Sequence, residues 1–442
     1  MTNILVLYPG TQTFRQAQVA QHRPVIEALG IRLVLADDAV DASDMEHFAD
    51  AIELPPPEHV GEALSRVRRW LASHEAHGVL GQSESSLLLG SLVARDVGVP
   101  CISPGAALLT TSKHLCRVAL EDARVPQPRF ALCTCVSDVR RFAHDHGYPV
   151  VLKGVASALS RLVTLVRDDA AVDDAVARLR AGLSTSVDIG RLVDFGAAAR
   201  IDLGCDPREQ FLVESFAGGA PVETDGVVAG SDIRTFGVVE QVLTPPPLFH
   251  FEGYLLPSDR PGSDEVERVS DAALRALGVT DTGFSNEMRL DGGAASVIEV
   301  NGRLGWDEGF GELFETVIGA QPALLALQVA LGRSPVLARR PGVRAAVAYA
   351  CCYADRVVER APGAGEIARV EREHGVRCAL AVRAGERMFA PPHPDISPHL
   401  AYALASDATS SQAAYARARA AVDELSFELL QPLTSEPLRA GS

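Results

Sequence analysis

Gly283-Phe284-Ser285-Asn286-Glu287-Met288-Arg289-Leu290 and Ala294-Ala295-Ser296-Val297-Ile298-Glu299-Val300 flank Asp291-Gly292-Gly293, and the second run continues into Asn301-Gly302-Arg303. Asp-Gly-Gly between two alternating runs predicts a β-hairpin. With the turn centred on Gly293, Glu287 lies opposite Glu299, and the period of two puts Asn301 and Arg303 on the face of Glu299. Directly opposed residues have Cβ atoms about 4.5–5.5 Å apart, and two carboxylates there repel by about 3 kcal/mol at an effective dielectric of about 20. A divalent cation removes that conflict. Glu287, Glu299 and Asn301 supply the hard oxygens that magnesium prefers when it also bridges phosphates. Arg303 then suits a transferring phosphoryl group or the carboxylate that receives it. The competing reading is a solvent-facing strand one residue out of register, and the hairpin alone does not dispose of it. The decision falls on residues upstream.

A chain of 442 residues and 46.9 kDa predicts about three domains. The formal charge of −16 and a pI near 5.2 argue against binding a nucleic-acid backbone, which needs clustered Lys and Arg. An anionic nucleotide still fits, provided one cleft is locally basic. Eight cysteines without disulfide-scaffold density or paired CxxC motifs predict a reduced, cytoplasmic setting. Cys133 and Cys135 share a strand face and read as ordinary thiols rather than a metal site. The apolar run Ile4–Tyr8 reads as a first strand, not a leader, and no run reaches the roughly 18 apolar residues of a membrane span.

The first 105 residues alternate short apolar runs with amphipathic helices: strands at Ile4–Leu7, Ile31–Leu35, Val79–Gly81 and Val99–Ile102, with helices between. That pattern predicts a doubly wound parallel sheet. Neither GxGxxG nor GxxxxGK[ST] occurs, so the dinucleotide and P-loop readings lack their glycines. From Tyr148 the strands cluster without a helix between each pair, which predicts an antiparallel-rich α+β region. Gly332–Gly342 reads as a second boundary. A small α+β domain follows from about Val343, closing with a helix over Ser410–Leu429.

Lys113 opens a helix behind Thr110-Thr111-Ser112, where free N–H groups and the helix dipole favour anions. Lys153 ends the apolar strand Tyr148-Pro149-Val150-Val151-Leu152. Both are among very few lysines in an arginine-dominated chain, which points to compact point-charge roles. Phe211-Leu212-Val213-Glu214-Ser215-Phe216, then Gly218-Gly219 and Glu223, combine an apolar strand, an acidic end and a flexible turn.

Taken in order, Thr111-Ser112-Lys113-His114 with Pro126-Gln127-Pro128, Gly147–Lys153, Phe211–Glu214 and Ile298–Gly305 resemble the ATP-grasp superfamily, in particular its amino acid and dipeptide ligases. The resemblance covers about residues 80 to 335. It implies a Rossmann-like domain over 1–105, a two-lobed ATP-grasp domain over 106–335 with a lid lobe at about 130–216, and a small closing domain over 343–442. It further implies that Lys113 and Lys153 bind ATP phosphates, that Glu214 and the backbone near Phe216 bind adenine, and that Glu223 binds the ribose. Glu287, Glu299 and Asn301 would hold magnesium, or manganese, with Arg303 steadying an acyl phosphate. The phosphate-covering loop is glycine-poor here, and the hydroxyls of Ser157 and Ser160 stand in for the usual glycines. His250, Tyr254 and Trp306 are the substrate-contacting candidates. The implied reaction joins a carboxylate, activated as an acyl phosphate, to an amine and releases ADP and phosphate. Carboxylation of the biotin carboxylase or purine-pathway kind and a nucleotide-binding module without catalysis are the rivals. The expected partners are small-molecule substrates, with neither nucleic acid nor membrane, and a homodimer is the expected assembly.

Overall fold

The computed structural model describes residues 2–81, 83–157, 161–245, 250–305, 307–338, 340–390 and 397–431. Two compact units divide the chain. The first comprises Met1–Val238, Arg260–Gly305 and Ala320–Ala338, the second Val239–Asp259, Trp306–Gly319 and Arg339–Ser442.

Strands β1 (Thr2–Leu7), β2 (Ile31–Asp37), β3 (Asp50–Glu53) and β4 (Gly78–Leu80) form a parallel sheet in the order β3-β2-β1-β4. Leu33, Val34, Leu35 and Ala36 of β2 are all buried, as both faces of a parallel strand are when helices cover them. Helix α1 (Gln12–Ala28) follows β1, α2 (Val60–Leu71) follows β3 and α3 (Leu87–Val97) follows β4. Val60, Ala63, Leu64 and Val67 make the buried stripe of α2, at the spacing an amphipathic helix requires. The strand expected over Val99–Ile102 does not form. Pro100 removes a ladder donor, and the chain runs directly into α4 (Pro104–Thr111). There Ser103 accepts from the Ala106 N–H, and Pro104 occupies the first helical position. Ser112 caps α5 (Lys113–Asp122) in the same way, accepting from the Leu115 N–H.

Residues 130–215 carry a separate antiparallel sheet of β5 (Phe130–Cys133), β6 (Val150–Gly154), β7 (Val163–Val166) and β8 (Phe211–Ser215), ordered β5-β8-β6-β7. Helices Val136–His146 and Val172–Leu183 pack on it. Next come β9 (Ala220–Ala229), β10 (Asp232–Leu243), β11 (Phe251–Leu256), β12 (Thr282–Asp291) and β13 (Ala294–Asn301). Within the first unit β12 lies between β13 and β9, antiparallel to both.

The second unit is built on β11 with β14 (Arg344–Cys351), β15 (Arg356–Arg360), β16 (Arg377–Leu380), β17 (Arg387–Met388), β18 (His399–Asp407) and β19 (Glu428–Leu430). Its larger sheet runs β11-β14-β18-β16. Helix Ser411–Asp423 covers that sheet, burying Ala414, Ala418, Ala421 and Val422. The helix expected to reach Leu429 stops at Asp423. Beyond it Leu425 turns into the core, and the Ser426 N–H donates to Glu366 Oε1 at 2.8 Å. The chain then leaves as β19, paired with β15. Among the described residues no single helix is long and apolar enough to cross a membrane.

Candidate active site

Asp291 pairs with Ala294 across Gly292 (φ 54°) and Gly293 (φ 89°), so the hairpin turn is a two-residue loop with both positions left-handed. Its centre therefore falls between Gly292 and Gly293 rather than on Gly293. Glu287 nevertheless faces Glu299, because the register shifts by one residue after Met288↔Val297. The expected pair is present for a different reason than a turn centred on glycine.

The third strand enlarges the picture. Glu287 is also the register partner of Glu223 on β9, so Glu223, Glu287 and Glu299 form one row across three strands. The next row on that face is Asp225, Ser285 and Asn301. Asp225 was not singled out in the sequence, although the alternation Glu223-x-Asp225 on a strand was the available signal. Partial burial and the Glu299 charge push Glu287 up to about 7, with Lys113, Arg303 and Lys153 opposing them. Burial likewise pushes Asp225 up to about 7, against the pull of the Gly305 N–H, Ser285, Arg303 and Glu223. This face is short of positive charge.

The chain contains only two lysines among 41 basic residues, and both heads belong to this site. From the first turn of α5, Lys113 Nζ reaches Glu299 Oε1 at 2.6 Å and the Ser157 carbonyl at 2.8 Å. Burial lowers its pKa, but Glu299 outweighs that and holds the ammonium charged. On β6, Lys153 shares a face with Val151, whose register partner is Glu214. Its Nζ accordingly meets Glu214 Oε2 at 2.7 Å. Glu214 is 2 % exposed. Burial pushes its carboxyl up, but Lys153 and Arg117 outweigh that and hold it at about 2.

Arg117 is the principal residue that reading the sequence missed. Its Nε and Nη2 hold Glu214 at 2.7 and 3.2 Å. In so arginine-rich a chain only its spacing, one helical turn after Lys113, marked it. Both oxygens of Glu214 thus face cations of the chain itself. Phe216, at the end of β8, is 38 % exposed, and its N–H donates to the Pro149 carbonyl at 3.3 Å.

Arg303 pairs with Glu84 and donates to the Leu304 carbonyl through Nη1 at 3.0 Å, while its buried Nε has no acceptor among the described residues. Glu84 is a second partner not foreseen. The Ser157 hydroxyl is buried and likewise lacks a partner among the described residues. Ser160 and Trp306 lie outside the described residues.

His250 and Tyr254 belong to the second unit. The Tyr254 hydroxyl donates to Asp307 Oδ2, and its ring packs on Phe251 and Phe310 at 5.2 and 4.6 Å. His250 stacks on Tyr353 with ring centroids 6.3 Å apart, and burial lowers its pKa. Within the same unit His399 Nδ1 donates to Glu308 Oε2, 2.7 Å away, and the ring stacks on Tyr349 at 3.8 Å.

No three His, Cys, Asp or Glu side chains among the described residues converge as a ready-made metal cage. A magnesium ion takes one or two carboxylates and completes its shell from phosphates and water. The donor set fits such an ion. Glu287 and Glu299 offer opposed carboxylate oxygens, Asn301 would add an amide oxygen two residues along, and Glu287 is raised by burial and by the Glu299 charge.

No protein-family model matches the chain. Human carnosine synthase 1 is 26% identical over 288 residues, which are 62% of this chain and 33% of that protein; the chain thus spans about a third of the relative's length. L-amino acid ligase from Bacillus licheniformis superposes with a TM-score of 0.77 at 19% identity, covering 98% of this chain and 99% of that one. The biotin carboxylase domain of Hydrogenobacter thermophilus 2-oxoglutarate carboxylase, solved with MgADP, ADP and bicarbonate, superposes with a TM-score of 0.65 at 15% identity, covering 97% and 91%. With its parallel N-terminal sheet, its separate four-stranded lobe and its carboxylate-bearing antiparallel strands, the chain has the ATP-grasp fold.

Proposed function

We propose that this protein is an ATP- and magnesium-dependent ligase that activates a carboxylate as an acyl phosphate and joins it to an amine, releasing ADP and phosphate. The observation that carries this reading is the placement of both lysines. One is held on Glu299 of the acidic row, the other on Glu214, in a chain that otherwise uses arginine. Lys113 and Lys153 would neutralise nucleotide phosphates, and Glu287, Glu299 and Asn301 would hold magnesium, with manganese a possible replacement. A bound divalent ion would supply charge neutralisation at those phosphates. Arg303, which keeps its charge while partly buried because Glu84 outweighs the burial, would steady the phosphorylated carboxylate. Catalysis of this kind is chiefly positioning and electrostatic stabilisation.

Amino acids or peptide-like acids and amines are the substrates this reading favours, with His250, Tyr254 and Trp306 as their contacts and Ser157, Ser160, Phe216 and Glu223 on the nucleotide side. The domain boundaries near 105 and 343, a cytoplasmic setting and a homodimeric assembly belong to the same proposal. The deciding experiment supplies ATP and magnesium with a panel of carboxylates and amines. Phosphate release that requires one of each, with an amide product by mass spectrometry, is the expected result. Release that follows bicarbonate alone would move the assignment to a carboxylase, and tight nucleotide binding without turnover would leave a binding module.

A further inference from the structure

We infer that Arg117 is a positioning residue that fixes the strand register on which the Glu287–Glu299 pair depends, tying it to the Lys153–Glu214 pair through one guanidinium. The inference rests on the reading of this face as the nucleotide and metal site.

A two-residue turn at Gly292-Gly293 dictates the pairs Leu290↔Ala295, Arg289↔Ser296 and Met288↔Val297, all of which form. Continued unchanged, that ladder would set Glu287 against Ile298. Glu299 and Asn301 would then point to the opposite side of the sheet, because a one-residue slip exchanges the faces. Instead Ile298 is an extra residue, and beyond it Glu287 pairs with Glu299, Asn286 with Val300 and Ser285 with Asn301. Burial records the switch: Ala295 and Val297 are in the core, and then Val300 rather than Glu299. The bulge alone puts the ligand pair on one surface.

A bulge disrupts the ladder, and its backbone groups need other partners when buried. Here the Val297 N–H donates to the Pro126 carbonyl at 2.9 Å. Arg117 Nη1 donates to the Val297 carbonyl at 3.2 Å and Nη2 to the Ile298 carbonyl at 2.7 Å. The same side chain, 2 % exposed, forks onto Glu214, which in turn holds Lys153 at 2.7 Å. Gln127 keeps it in place, accepting from Nη1 at 3.4 Å and donating to the Arg117 carbonyl at 2.8 Å. One planar fork thus serves a carboxylate and both bulge carbonyls. A lysine has three donors around a single point and cannot cover that set.

The test is Arg117→Lys, which keeps a positive charge beside Glu214 but gives up the carbonyl contacts. Hydrogen exchange of the ligand-free protein should quicken across Ala294–Asn301 and stay as in the wild type across β1 and β2. Half-saturation by magnesium in phosphate release should rise about tenfold, with the carboxylate and amine KM values much less affected. Gln127→Leu, which loosens the guanidinium without removing it, should move both readouts in the same direction by a smaller factor and serves if Arg117→Lys does not fold. Wild-type exchange over 294–301 and wild-type magnesium dependence in the folded variants would overturn the inference. A wild-type protein without magnesium-dependent phosphate release would instead overturn the ligase reading, and the exchange measurement would still judge the clamp.

Discussion

Glu214 and Glu287 are strand carboxylates of the same unit in opposite surroundings. Glu214 is sealed at 2 % exposure between Arg117 and Lys153 and is held at about 2. Glu287 is half-buried, with Glu223 and Glu299 as its register partners on either side, and is pushed up to about 7. Where the chain needs a fixed scaffold it supplies both signs of charge itself. Along the acidic row it supplies Lys113 at Glu299, and the proposed magnesium would add the charge that Glu287 calls for. The repulsion along that row is what the proposed metal ion would relieve.

The largest effects should separate the two carboxylates by kind. Glu287→Gln would remove the proposed metal ligand and relieve repulsion, so turnover should fall roughly a thousandfold, as for a group acting on the reacting charge. Its thermal unfolding temperature should hold or rise. A variant that keeps wild-type turnover at saturating magnesium would break the comparison. Glu214→Gln should do the reverse, costing about 3 kcal/mol or more because two buried cations lose their partner. Its pH dependence has a definite sign. A carboxylate held below its unfolded value of about 4.3 contributes stability above that pH and loses it as pH falls. The difference between wild type and Glu214→Gln should therefore be steady at neutral pH and shrink from about pH 4 toward about 2. Denaturant unfolding across that range measures it.

Much of the comparison was readable from the residues, and the unread part has a common cause. Alternation and a glycine pair exposed the hairpin, and the scarcity of lysine singled out Lys113 and Lys153. What failed was anything set by contacts distant in sequence. Arg117 meets Glu214 across 97 residues and Ile298 across 181, and no local pattern records either. Glu84 meets Arg303 across 219 residues. The bulge left only a faint trace, the adjacent apolar pair Val297-Ile298 in an otherwise alternating run. The helix through Asp423 was overextended because Leu425 and Phe427 continue an apolar pattern that serves the core of the second unit by another route.

The second unit offers a pair with the opposite pH sign. Burial pulls His399 down, but Glu308 outweighs it and raises the imidazole above its usual value. A raised histidine contributes its stability fully below the unfolded value of about 6.5 and loses it as pH rises through the folded one. His399→Gln should cost about 2 kcal/mol at pH 5.5, and the deficit should close in alkaline buffer. A deficit that grew with pH would mean that His399 is held neutral in the fold.

The smallest effect discriminates between the two devices that set the hairpin. Gly292 has φ 54°, and an added Cβ would meet nothing within 4 Å. Gly292→Ala therefore carries only the conformational cost of a left-handed alanine, about 1 kcal/mol. Gly292→Asn should recover much of that, since asparagine tolerates the region. If Arg117 and the Ile298 bulge hold the register, magnesium half-saturation in both variants should stay within about twofold of wild type, far below the roughly tenfold effect expected at Arg117. A tenfold loss of magnesium affinity in Gly292→Ala would show instead that the turn governs which face Glu299 occupies, and would take the positioning role away from the guanidinium.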